Sequence, residues 1–203
     1  MLAKYINMNK AYTNFKNLIA LFGLSENEFK TLITYCEQVQ FKKGENIMKE
    51  GEKQSKLYFL YKGIVRYYVM SNDGELHTYG FRMENSLITG YAQHNKQNEY
   101  RAEVSIECLE DCDLIEIPFI ATKYMESNSP EAHKVARCLS ETHIIELVRF
   151  IKELDTKSIS ERYLDLEKTY PGLHQRATQQ VIASYLRTTP VHLSRIKKAR
   201  IKS

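Results

Sequence analysis

The residues best equipped for chemistry crowd the end of this 203-residue chain, in "TQQVIASYLRTTPVHLSRIKKARIKS", Thr178 to Ser203. After Leu186 the stretch carries six basic residues and no acidic one. Apolar residues at Ile182, Leu186, Leu193 and Ile196 set the period of two short helices, and Ala183 is small enough for a close crossing. Thr178 is placed to cap the first helix, "RTT" to make the turn, and Thr189 to cap the second, with Pro190 at its first position. Val181, Ile182, Tyr185, Leu193 and Ile196 then face a core, while Val191, His192, Ser194, Arg195 and Lys198 face outward. This is the spacing of a helix-turn-helix, whose second helix enters the major groove of DNA.

The side chains suit that geometry. Arg195 can take the two acceptors that guanine offers in the groove. Thr188 and Thr189 stand where a helix N-terminus attracts phosphates, and Thr178 and Gln179 open the preceding helix of the same DNA-binding set. Lys197, Lys198, Arg200 and Lys202 add attraction that is independent of sequence. His192 could donate to a base or only to water. Arg187 falls where such turns often carry glycine, and a left-handed arginine costs on the order of 1 kcal/mol. The competing reading is a helical hairpin with a solvated basic face.

The rest of the chain is charged the other way. Residues 156–203 hold ten Lys/Arg against three Asp/Glu, a net of +7, so residues 1–155 sum to −3 within a total of +4. Such asymmetry suggests that one end meets a polyanion. With 43% hydrophobic and 27% charged residues, the chain reads as a water-soluble globule with a real core. No apolar run approaches the roughly 20 residues of a membrane span. The N-terminus lacks a continuous apolar segment of the secretory kind, so a cytoplasmic protein without membrane partners is expected. Cys36, Cys108, Cys112 and Cys138 form no C-x-x-C pair and read as reduced thiols. Cys108 and Cys112 sit across an expected hairpin turn, but two thiols do not fill a tetrahedral metal site, and no metal is expected. Nucleophile-elbow, P-loop and dinucleotide fingerprints are missing, and His77 stands alone on its hairpin, so no enzyme is expected.

Periodicity gives the elements that would carry the tail. Residues 10–38 look helical, broken at Gly23 and restarted by a Ser25 cap with Glu28 three residues on. From about Val39 the texture is β, with Asn72-Asp73-Gly74 as a hairpin turn between "VRYYVM" and "ELHTYGF". Turn signals about every 8 to 12 residues predict an antiparallel sandwich or barrel. Helical periods return in 119–126, and Ser129 then caps a helix of roughly 25 residues with Pro130 at its first position. That helix shows two apolar stripes. Val135, Cys138, Thr142 and Ile145 form one; Ile144, Leu147, Val148, Ile151 and Leu154 form the other. Two stripes need two partners, the β domain and the same helix of a second chain. Residues 157–170 form a further amphipathic helix, stopped by Pro171-Gly172-Leu173.

With these residues assembled, the chain resembles the catabolite activator/fumarate-nitrate regulator (Crp/Fnr) family of bacterial transcription factors. The resemblance rests on "FKKGENIMKEG" (41–51), "LYFLYKGIVRYY" (57–68), the long helix and the terminal helix-turn-helix, in that order. It implies an α+β fold: an N-terminal antiparallel β jelly roll of cyclic-nucleotide-binding type over 1–128, a dimerisation helix over 129–155, and a helix-turn-helix domain over 156–203. It further implies that Gly44, Glu45 and Gly51 are scaffold residues of the roll's turns. Because the chain stops at Ser203, most of the family's wing is expected to be missing, with the basic tail supplying its phosphate contacts. The partners implied are double-stranded DNA at a palindromic operator, a second copy of the chain, and RNA polymerase.

The family's effector cassette pairs a Gly-Glu with an Arg-small pair about ten positions on. Here the best placement is Gly90-Tyr91 and Arg101-Ala102, and Tyr91 cannot supply the carboxylate that holds a ribose hydroxyl. Glu84-Asn85 comes too early. Cyclic AMP is therefore not expected as a ligand, no cofactor is assigned, and no cysteine precedes Cys36 to hold an iron–sulfur cluster. The alternative function is a small-molecule or cyclic-nucleotide-binding module whose C-terminal helices mediate protein contacts.

Overall fold

A computed structural model describes residues 2–90, 93–94 and 100–201. Helix α1 spans Leu2–Ala20 and α2 spans Glu26–Ile33, with Gly23 taking the left-handed turn between them at φ +96°. The Ser25 hydroxyl accepts from the Glu28 amide while the Glu28 carboxylate accepts from the Ser25 amide, so both orphan donors of the first turn are met. The helical stretch predicted for 10–38 is corrected at both ends. It begins at Leu2, and by Glu37 the chain is a strand, because pairing with a distant strand overrides the local pattern.

Ten strands follow. They are β1 (Glu37–Phe41), β2 (Asn46–Met48), β3 (Lys56–Lys62), β4 (Val65–Met70), β5 (Leu76–Arg82), β6 (Ser86–Ile88), β7 (Gln93–His94), β8 (Tyr100–Arg101), β9 (Ser105–Cys108) and β10 (Cys112–Pro118). Two four-stranded sheets, in the orders β1-β10-β3-β6 and β2-β9-β4-β5, face each other, and β7 pairs with β8, whose Arg101 also bridges Lys53. Every pairing is antiparallel. Between the sheets lie Ile47, Leu60, Val65, Ile88, Ile106 and Leu114, with Cys108 and Cys112 among them. This is the predicted roll. The Asn72-Asp73-Gly74 turn joins β4 to β5, Gly74 at φ +85° and the Ser71 amide closing on the Glu75 carbonyl at 2.9 Å.

The remaining helices are α3 (Phe119–Asn128), α4 (Pro130–Thr156), α5 (Ile159–Thr169), α6 (Leu173–Arg176), α7 (Gln179–Tyr185) and α8 (Pro190–Ile201). Ser129 caps α4 as predicted, its hydroxyl accepting from the Ala132 amide at 3.2 Å. One of the two stripes on α4 is corrected. The face against the body of the protein runs through Ala132, Val135, Ala136, Leu139, His143 and Phe150, whereas Thr142 and Ile145 point to solvent. A histidine can hold an inward position here because Arg82 meets its ring at 2.9 Å. In the second stripe Ile144, Leu147, Val148 and Ile151 are each 53 to 60% exposed, and Leu154 at its end is half-buried. An aliphatic row this open is unusual on the surface of a single chain.

Candidate nucleic-acid interface

The C-terminal helices close around a small core that Ile64, Phe81 and Leu109 of the roll also enter. Tyr163 and Leu166 of α5, Leu173 of α6, Val181, Ile182 and Ala183 of α7, and Leu193 and Ile196 of α8 are all buried. Three of these helices, α5, α7 and α8, start on a side-chain cap that the sequence provides, whereas α6 starts at Gly172 in the left-handed conformation. Ser158 caps α5 in a reciprocal box with Glu161. The Thr178 hydroxyl accepts from the Val181 amide at 3.3 Å, and the Thr189 hydroxyl accepts from the His192 amide at 3.2 Å. Between α7 and α8 the chain reverses through Leu186 to Thr189, with Leu186 completely buried. Arg187 takes the left-handed backbone foreseen for it, at φ +53°. Its guanidinium lies 4.8 Å above the Tyr79 ring, an attraction of about 0.5–1 kcal/mol that offsets most of the backbone cost.

Each residue assigned to DNA has a place in this unit. Val191, His192, Arg195 and Lys198 are exposed on one side of α8, with Val191 64% accessible and Ser194 half-buried beside them. Thr178, Gln179 and Thr189 are exposed and Thr188 is half-buried. Two residues have work inside the motif. The Gln179 amide donates to the Pro190 carbonyl at 2.8 Å, tying α7 to α8, and the Lys197 ammonium sits 5.6 Å above the Tyr163 ring. The Thr188 hydroxyl lies 3.1 Å from the His192 ring, orienting the imidazole along α8. The side chain of Arg200, and Lys202 altogether, lie outside the described residues.

The contacts that join this unit to the roll were not foreseen. β5 is an edge strand, and Ser184 covers that edge: its hydroxyl donates to the Leu76 carbonyl at 2.7 Å and accepts the Thr78 amide at 2.9 Å. Arg176 reaches two carboxylates of the roll, from Nε to Glu110 at 3.1 Å and from Nη1 to Glu84 at 3.2 Å. Donating to the Glu110 and Glu84 carboxylates pushes the guanidinium further up. Burial alone would raise the Glu84 carboxyl, but its bonds to Arg176, to its own amide and to the Gly63 amide hold it below the usual carboxylate range. A Ser-x-x-Glu motif at Ser158–Glu161 was available as a helix-start signal, whereas nothing local marks Arg176 as a partner of Glu84.

The effector cassette is organised differently. Gly90 is buried so tightly that an added Cβ would strike the Met48 sulfur, the Ala102 methyl and the Gln54 amide oxygen. Ala102 belongs to the roll core, its amide donating to the Glu52 carbonyl at 2.9 Å. Arg101 is exposed and donates from Nη1 to the Gly51 carbonyl at 2.9 Å. Tyr91 lies outside the described residues. Burial pushes the Cys36 thiol up to about 12, and the hydrogen bond between Cys108 and Cys112 pushes Cys108 up while it holds Cys112 down. Among the described residues no cluster of His, Cys, Asp or Glu could hold a metal ion, and no helix is long and apolar enough to cross a membrane.

Residues 38–122 match the model of the cyclic nucleotide-binding domain family. No curated protein sequence matches the chain at a significant level. Solved structures do. FixK2 from Bradyrhizobium japonicum aligns with a TM-score of 0.71 at 14% identity, over 81% of this chain and 83% of that one. A protein of Eubacterium rectale assigned to the Crp/Fnr family aligns at 0.69 with 20% identity, over 88% and 85%. The c-di-GMP-responsive global regulator CLP of Xanthomonas campestris aligns at 0.67 with 16% identity, over 88% and 93%. At these identities the likeness is one of fold. Residues 38–122 thus resemble a cyclic nucleotide-binding domain, and the chain as a whole has the fold of these solved regulators.

Proposed function

We propose that this chain is a homodimeric transcriptional regulator that binds DNA in a sequence-specific manner, through a roll (1–128), a dimerisation helix (129–155) and a DNA-reading unit (156–203). The observation that carries the proposal is the α7–α8 unit, capped at Thr178 and Thr189 and exposing His192, Arg195 and Lys198 on one side of α8. Arg195 has the planar fork that matches the O6/N7 edge of guanine. Lys198 and the hydroxyls at the N-terminus of α8 suit phosphates. The bare aliphatic row of α4 supports pairing with a second copy, since Ile144, Leu147/Val148 and Ile151 repeat at the spacing of a two-helix seam. A two-fold dimer would read a palindrome with half-sites about one helical turn, or a multiple of it, apart.

The effector of such a regulator is not cyclic AMP. Tyr91 brings no carboxylate to the cassette, Gly90 and Ala102 are spent on packing, and Arg101 donates to the loop at Gly51. The test of the DNA reading is a titration of the purified chain with duplex fragments at rising salt. Binding should weaken by orders of magnitude between about 50 and 200 mM salt if several phosphates are neutralised. Undetectable or salt-insensitive binding would favour the alternative in which the terminal helices contact protein.

A further inference from the structure

Helix α8 carries an apolar side chain that the fold does not use. Val191 is 64% exposed and lies outside the core of the C-terminal helices. Its position on the helix is specific. Val191, Arg195 and Lys198 follow at i, i+4 and i+7, so they form one stripe, on the side opposite the buried Leu193 and Ile196. The valine thus stands at the centre of the face that α8 turns away from its own core.

Neither packing nor helix formation accounts for a valine there. A β-branched residue is a weaker helix former than Ala, Glu or Gln. An acidic residue in the first turn would suit the helix dipole, and α8 has none. The polar groups around Val191 are engaged within the motif. The Pro190 carbonyl accepts from the Gln179 amide, the Thr189 hydroxyl accepts from the His192 amide, and the Thr188 hydroxyl meets the His192 ring. These bonds fix the first turn of α8 and leave Val191 at the head of the outward stripe, with methyl groups and no hydrogen-bonding side-chain atom.

The base edges of the major groove offer donors, acceptors and one apolar feature, the C5-methyl group of thymine. We infer that Val191 packs on that methyl group and so selects a T·A pair in each half-site. Cytosine is disfavoured twice over, because it has no methyl to meet the valine and its N4 donor finds no acceptor. Val191 and Arg195 lie about 6 Å apart along the axis of α8. Base pairs are spaced about 3.4 Å apart, which places the thymine within about two base pairs of the guanine read by Arg195. This rests on the DNA-reading function proposed above and adds a second base to it.

The test uses the full chain and the duplex it enriches from a randomised pool. Each thymine of the half-site is replaced in turn by deoxyuridine, which deletes the methyl group and keeps every hydrogen-bonding atom. At one thymine close to the guanine whose preference Arg195→Ala removes, the parent should bind the uracil duplex about fourfold more weakly, the worth of one buried methyl group. Val191→Ala alters an exposed side chain and should melt as the parent does. It should bind the thymine duplex as weakly as the parent binds the uracil one, and tell the two apart by less than about twofold. With 5-methylcytosine in place of cytosine at that position, the parent should bind more tightly and Val191→Ala should not. Equal binding of thymine and uracil duplexes at every position overturns the inference. Discrimination that survives Val191→Ala overturns it too, by assigning the methyl contact to another residue. In both cases a preference still abolished by Arg195→Ala leaves the DNA reading standing. A chain that enriches no sequence loses that reading and this inference together.

Discussion

Two segments of this chain, the predicted effector cassette and the proposed DNA reader, are built in opposite ways. In the segment from Gly90 to Ala102, the described residues of the predicted cassette are turned toward the roll itself: Gly90 into a close approach, Ala102 into the core, Arg101 onto the Gly51 carbonyl. In the segment from Thr178 to Lys198, packing falls to Val181, Ile182, Ala183, Leu186, Leu193 and Ile196, a few polar residues cap helices or tie the segment to its neighbours, and His192, Arg195 and Lys198 stand exposed. The comparison teaches how to tell a scaffold from a site. Where polar and small residues are used up satisfying backbone and filling space, a ligand has little left to recognise. Where apolar residues do most of the packing, charges such as Arg195 and Lys198 are left exposed.

Loss of the reader's core should have the largest effect. Leu193→Ala removes a side chain with no solvent exposure and should destabilise the C-terminal unit by about 3 kcal/mol, seen as an earlier melting transition and loss of DNA binding. Next comes the split between reading and holding. Arg195→Ala should cost about 1–3 kcal/mol on the preferred duplex and little on scrambled ones, as competition titrations would show. Lys198→Ala should weaken all duplexes alike and reduce the salt slope by about one. Arg187→Gly should change the melting free energy by less than about 1 kcal/mol, because relief of the left-handed backbone is offset by loss of the stack on Tyr79. A destabilisation of several kcal/mol would show that the stack, and not the turn, organises this junction. The smallest effect belongs to the cassette: cyclic AMP should leave the melting temperature where it is, and a clear upward shift would undo the contrast between the two segments.

What could be read from the sequence was what is written locally. The caps at Ser25, Ser129, Thr178 and Thr189 each depend on a partner three residues away, and all four hold. The strained turn at Arg187 was legible for the same reason, since a fixed spacing between two periodic runs demands it. The first stripe of α4 was misread because an apolar pattern has no place for His143, which points inward only because Arg82, 61 positions earlier in the chain, receives it. The joint between reader and roll was invisible by the same logic. Arg176 and Glu84 are 92 positions apart, and Ser184 meets Leu76 across 108, so no window of sequence contains either contact. The cassette lies between: its missing carboxylate shows in the sequence, but the reason Gly90 and Ala102 are small shows only once Met48 and Gln54 are packed against them.

The most direct measurement of the central claim is a selection of short duplexes with a randomised core by the purified, full-length chain at moderate salt. The expected result is enrichment of a two-fold symmetric sequence whose half-sites lie about one helical turn, or a multiple, apart. Recovery of a pool as random as the one supplied, from a chain that is folded and dimeric, would contradict it.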